Sequence, residues 1–178
     1  MSEIADGLAG LYMFRTVQKR HLEALVEMAP PVTYFGGDIV FHQGAAADSA
    51  VLVVTGKLIA YVDPGGNRRV LGDSRPGEIV GETALFTRGG KRNATVAAEG
   101  VSQCLELSRE TLTRAGRNPA MVALEQHMLG TMARRIRATN TNIQRVWKEA
   151  EAAKAELARN TKAPTLRERL AGLFGGGK

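Results

Sequence analysis

From Ala50 to Val54 the chain reads AVLVV without a polar residue, and the run stops at Thr55-Gly56. Short apolar, β-branched runs of this kind recur from about residue 32 to 107: DIVFH, AVLVVTG, KLIAYVD, RRVLGD, ATVAAEG and VSQCLEL. Turn signals separate them, among them Gly36-Gly37, Thr55-Gly56 and Asp63-Pro64-Gly65-Gly66-Asn67. Evenly spaced short strands joined by glycine-rich turns predict an antiparallel sandwich, jelly roll or barrel.

The pattern differs on either side of this block. Upstream, Leu11, Phe14, Leu22, Leu25 and Met28 fall at largely helical spacings, which predicts a helix over residues 8–28 that ends before Pro30-Pro31. Downstream, Ser108-Arg109-Glu110-Thr111-Leu112 reads as a helix start and Asn118-Pro119 as a break. The segment from about 119 to 160 then contains no glycine except Gly130. Within it Leu129, Met132, Ile136, Thr139, Ile143, Val146, Ala150, Ala153 and Leu157 step by three and four in alternation, a heptad seam. A helix of about 40 residues is roughly 60 Å long and overhangs a domain of this size, so the seam is expected to pair with its twin in a parallel homodimer. In the tail, Thr165 and Glu168 fit a capping box, with Leu166, Leu170, Leu173 and Phe174 on one face of a short helix. That helix is either a back-packed end or a tethered docking motif. The expected organisation is therefore a β domain with flanking helices over 1–117, a long helix over 118–160 and a tail over 161–178.

Composition narrows the function. The 178 residues carry a formal net charge of +6, with a net of −1 over residues 1–100 and +7 over 101–178. The excess of the second part is a solvated helix face or a surface for an anionic partner. Few aromatic residues interleave those charges, and Glu149, Glu151 and Glu156 dilute them. No apolar run reaches the length of a membrane span, and the acidic start MSEIADGLAG lacks the basic-then-apolar order of a secretory signal, so a cytoplasmic location is expected. The single cysteine, Cys104, is expected to be a small buried hydrophobe. His21, His42 and His127 share no metal-binding spacing, and no nucleophile elbow surrounds any serine. Neither an enzyme nor a metal centre is expected.

One stretch asks for more than a core. In VGETALFTRGGKRNATV, residues 80–96, a carboxylate follows Gly81 and a guanidinium precedes the strand-like Ala94-Thr95-Val96. Burying either group is costly without a partner. The two could neutralise each other. Alternatively they serve one ligand that carries a phosphate and a hydroxyl, Arg92 offering a planar fork of donors and Glu82 accepting from a sugar.

These residues, together with GGDIVFHQGAAADSAVLVVTGKLIAYV and PGEIVGETALF, resemble the cyclic-nucleotide-binding domain family of bacterial catabolite activators and cyclic-AMP-dependent kinase regulatory subunits. The resemblance covers about residues 8–145 and implies an α+β fold, a β jelly roll with an N-terminal helix and a long C-terminal dimerisation helix. The family's phosphate cassette is Gly-Glu, an apolar turn and an arginine ten or eleven positions after the glycine; Arg92 stands eleven after Gly81. The resemblance implies that Glu82 takes the ribose 2′-hydroxyl, while Arg92 and the amides near Thr83 and Ala84 hold the cyclic phosphate. In MARRIRATNTNI it places Thr139 at the base and Asn140 as a contact from the other subunit. Asn93 stands where the cassette usually has Ala, Ser or Thr, which leaves the base open, with cyclic AMP favoured and cyclic GMP the alternative.

The activators continue from the dimer helix into a helix-turn-helix domain, and no recognition helix fits residues 161–178, which argues against DNA binding. The expected function is a stand-alone cyclic-nucleotide receptor that regulates an unidentified partner protein through its dimer helix and tail. The alternative is a ligand-free scaffold built on the same fold and coiled coil.

Overall fold

In the computed structural model, residues 2–160 are described; the tail helix expected over residues 165–174 lies outside them. The chain forms two compact units, Met1–Gly130 and Thr131–Lys178. The first holds two four-stranded antiparallel sheets and helices, so the chain is an α+β protein built on a β-roll. Its strands are β1 (Pro31–Tyr34), β2 (Ile39–Phe41), β3 (Ser49–Thr55), β4 (Leu58–Val62), β5 (Arg69–Ser74), β6 (Ile79–Val80), β7 (Thr95–Ala98) and β8 (Ser102–Ser108). The sheet orders are β1-β8-β3-β6 and β2-β7-β4-β5.

The unbroken apolar run in β3 follows from its place between two cores. Side chains alternate across a strand. Ala50, Leu52 and Val54 accordingly enter a core shared with the helices, while Val51 and Val53 enter the inter-sheet core with Leu58, Val96, Ala98 and Cys104. Burial pushes the Cys104 thiol up to about 11, so it stays protonated and packs as a small apolar group.

The helical side of the larger core comes from α1 (Ser2–Ala9), α2 (Lys19–Met28), α4 (Arg109–Ala115) and the start of α5 (Pro119–Asn160). Ser108 caps α4, its hydroxyl accepting from the Thr111 amide at 3.1 Å in a capping box. Asn118 caps α5 through the Ala120 amide at 2.8 Å, and its side-chain amide donates to the His21 carbonyl at 3.2 Å, tying α5 to α2. Ala120, Met121, Leu124 and Met128 of α5 are buried in this core.

The single helix expected over residues 8–28 is instead broken into α1, a 3-10 turn at Tyr12–Phe14 and α2. The Gly10 amide bonds to both Asp6 and Gly7 carbonyls, and the chain tightens into i→i−3 bonds from Leu11 to Leu8 and from Phe14 to Leu11. A 3-10 turn repeats every three residues, so the spacing of Leu8, Leu11 and Phe14 does not distinguish it from an α-helix. Two strands also went unpredicted. β1 starts at a proline and is an edge strand, where a missing amide is tolerated, and β6 has only two residues.

Leu52 is fully buried in the central strand. Leu52→Ala is expected to destabilise the protein by about 2–5 kcal/mol through lost burial and a residual cavity, read as a lower midpoint in urea unfolding.

Candidate functional site

The main chain of Arg92 is fixed before its side chain does anything. Residues 44–47 run beside residues 90–92 as a short irregular antiparallel pair. The Gly44 amide donates to the Arg92 carbonyl at 2.8 Å, the Arg92 amide to the Ala45 carbonyl at 2.9 Å, and the Ala47 amide to the Gly90 carbonyl at 2.9 Å. Tied to residues 44–45 through both its amide and its carbonyl, Arg92 sends its side chain inward and is only 8% exposed.

The guanidinium lies over the Phe41 ring, its Cζ 3.5 Å from the ring centroid. Nη2 donates to the Ser49 hydroxyl at 3.3 Å and stands 3.7 Å from the largely exposed Asp48 carboxylate. Nη1 is buried and has no hydrogen-bond partner, the only such side-chain atom among the described residues. Burial lowers the Arg92 pKa from its ordinary value, with Asp48 and Glu106 opposing that shift. A guanidinium nonetheless stays protonated. The site therefore holds a desolvated positive charge with an unused donor, which an anion with oxygens spaced as in a phosphate satisfies.

Gly81 makes room for that charge. The pairing of Val80 with Val51 brings Gly81 beside the start of β3, with φ at +83°. A Cβ on Gly81 would fall 2.5 Å from Arg92 Nη1, 3.1 Å from Phe41 Cε2 and 3.2 Å from the Ser49 carbonyl oxygen. Any side chain there would be strained by its backbone and would collide with the guanidinium. Glycine is thus required twice at this position.

The structure brings Gly81 and Arg92 into contact and sets Glu82, half-buried, next in the chain. α3 (Thr83–Phe86) follows at once, with Thr83 exposed and Ala84 buried. The Ala84 amide, expected to face an anion, donates to the Gly81 carbonyl at 3.0 Å. Asn93 is exposed beside Arg92. Thr139 and Asn140 are both exposed on α5 within the second unit, where Thr139 shares one helix face with Asn142, Ile143, Val146 and Trp147. Sequence reasoning missed Phe41, Asp48 and Ser49. Their contacts with Arg92 close over long stretches of chain, 43 residues for Ser49, and no local pattern marks them.

Comparison with known proteins fits this geometry. The family model for the cyclic nucleotide-binding domain matches residues 31–118, which span the paired strands, Gly81 and Arg92. The chain belongs to that family. Over 137 residues, 76% of this chain and 60% of the relative, it is 26% identical to a CRP-like cAMP-activated global transcriptional regulator of Mycobacterium tuberculosis. Over 106 residues, 57% of this chain and 32% of the relative, it is 29% identical to a cAMP-dependent protein kinase regulatory subunit of Dictyostelium discoideum. The chain thus spans from about a third to three fifths of the length of these curated relatives. Its fold is that of the catabolite activator protein of Thermus thermophilus, with a TM-score of 0.67 at 24% identity, covering 92% of this chain and 79% of that one.

In this cyclic nucleotide-binding domain the orphaned Nη1 makes a stability prediction. Losing a buried guanidinium that completes a structural ion pair costs about 3–5 kcal/mol. Arg92→Met is expected to change ligand-free stability by less than about 1 kcal/mol, because it removes a desolvated charge and an unsatisfied donor along with the Ser49 and Phe41 contacts. Urea unfolding without nucleotide measures it.

Proposed function

We propose that the domain is a cyclic-nucleotide receptor, with cyclic AMP the favoured ligand, that transmits occupancy through α5 to a partner protein. The observation that carries this reading is the buried, unpartnered Nη1 of Arg92 against the bare Cα of Gly81. A cyclic phosphate oxygen supplies the missing acceptor and neutralises the buried charge. Glu82, next to Gly81, takes the ribose 2′-hydroxyl. Thr139 and Asn140 meet the base, the latter from a second copy, in the roles the family resemblance implies. Cyclic AMP is favoured over cyclic GMP because both curated relatives described above are named for cAMP.

Regulation through α5 has its own support. Leu129, Ile136, Ile143, Val146 and Leu157 of the heptad seam are between 44% and 64% exposed, and Trp147, outside the expected seam, is 67% exposed. Apolar side chains repeated at heptad spacing along a helix call for a second helix, and a second copy of this chain presents the same stripe. No helix among the described residues is long and apolar enough to cross a membrane.

Isothermal titration of the wild-type chain with cyclic AMP and cyclic GMP is expected to give saturable heat. Arg92→Leu is expected to weaken binding by about tenfold to a hundredfold, the range for lost charge-assisted hydrogen bonds. No heat and no melting shift with either nucleotide would reject the receptor and leave the scaffold reading. Ile143→Glu, which puts a charge into the seam, is expected to convert a dimer to a monomer in sedimentation velocity. An unchanged sedimentation coefficient would exclude seam pairing.

A further inference from the structure

The cassette turn is too short to hold itself. α3 has four residues, and the Thr83 carbonyl takes both the Thr87 amide at 3.0 Å and the Thr87 hydroxyl at 2.7 Å. A helix of one turn leaves most of its carbonyls as end groups and has none of the cooperativity of a longer one. The carbonyl of Ala84 within α3 and that of Thr87, which caps it, are gripped from outside. Arg109, the first residue of α4, donates through Nη2 to the Ala84 carbonyl at 2.6 Å and to the Thr87 carbonyl. The base of this arm is rigid: Ser108, just before it, ends β8 and closes the capping box of α4.

Register adds a second link. Ser108 pairs across the sheet with Ser49, the residue that holds Arg92 Nη2. Arg92, against Gly81 at the start of the cassette, thus bonds to the β3 residue that faces Ser108, whose chain neighbour Arg109 holds the carbonyls of Ala84 and Thr87.

We propose that Arg109 is a positioning residue of the nucleotide site: it fixes α3 relative to α4, so that seating a ligand anion between Gly81 and Arg92 and the setting of α4 are one mechanical event. The proposal rests on the receptor reading above. α4 is followed by Asn118, which caps α5 and bonds to the His21 carbonyl of α2, so a shift of α4 has a short covalent route to the first turns of α5. Arg109 need not touch the ligand. Its guanidinium acts on the ligand through the two carbonyls that one nitrogen, Nη2, holds, and a lysine ammonium on its flexible stem keeps the charge without that fixed placement.

The test compares wild type, Arg109→Lys and Arg109→Met by titration with cyclic AMP and by hydrogen exchange of α4 amides with and without the nucleotide. Arg109→Met is expected to bind about tenfold more weakly and to lose ligand-induced protection in α4, with Arg109→Lys recovering part of both. Ligand-free melting of each variant separates this from a merely structural role, which would lower the melting temperature and leave affinity at 25 °C and α4 protection as in wild type. Wild-type binding with Arg109→Met unchanged in affinity and protection overturns the positioning role alone. A wild-type chain that takes no heat from cyclic AMP sinks the receptor reading and this inference together. Should Arg109→Met fail to fold, Arg109→Lys carries the same comparison: weakened affinity and reduced α4 protection support the positioning role, and full wild-type affinity and protection in that variant overturn it.

Discussion

A guanidinium removed from water is the constraint around which the β-roll is organised. Stripping a cation of its hydration is expensive, and the neighbours of Arg92 return only part of that cost: one hydroxyl at 3.3 Å, one solvent-screened carboxylate at 3.7 Å and the face of one ring. Exposed carboxylates contribute little to such a pair, so Asp48 cannot be its main compensation. The remaining cost is carried by the fold. Arg92 stays inward because its amide and carbonyl are both tied to residues 44–45 and because Gly81 leaves the space that any side chain would fill.

That arrangement depends on the layering of the sheets. β3 is buried on both faces, so its register is fixed twice, once by the helices and once by the second sheet. Ser49 at its start and Val51 opposite Val80 inherit that precision. Phe41 packs against the inter-sheet core while its ring carries the guanidinium. A rigid frame thus presents a charge to a turn, α3, that has little stability of its own. The division suits a sensor, because elements that respond to ligands come from the low-stability end of a structure.

The parts of this design legible in the sequence are those with local causes. Six strands could be read from apolar runs between glycine turns, and the starts of α4 and α5 from Ser108 and Asn118-Pro119, since turn and cap chemistry act within a few residues. Gly81 and Arg92 were legible as a spaced pair. Asp48, Ser49 and Arg109 were not, because their contacts close over sequence separations such as the 43 residues between Ser49 and Arg92 and the 25 between Ala84 and Arg109, and nothing in the local pattern marks them. The broken N-terminal helix failed for the opposite reason: a local spacing of three fits two kinds of helix.

The unsatisfied donor also sets how a ligand can act. A ligand moves an equilibrium only by its differential affinity for the two states. An acceptor delivered to Nη1 has no equivalent in the unfolded chain, where Arg92 is hydrated, so its contribution appears as stabilisation of the folded form. At a hundred times the dissociation constant the stabilisation by a bound ligand is about 2.7 kcal/mol, and it enters at Gly81, next to the single turn of α3. Ordering so small an element takes little of the binding free energy, which leaves the larger share to bias whatever α3 is fastened to. In this fold the fastening runs through the carbonyls of Ala84 and Thr87 to the first residue of α4.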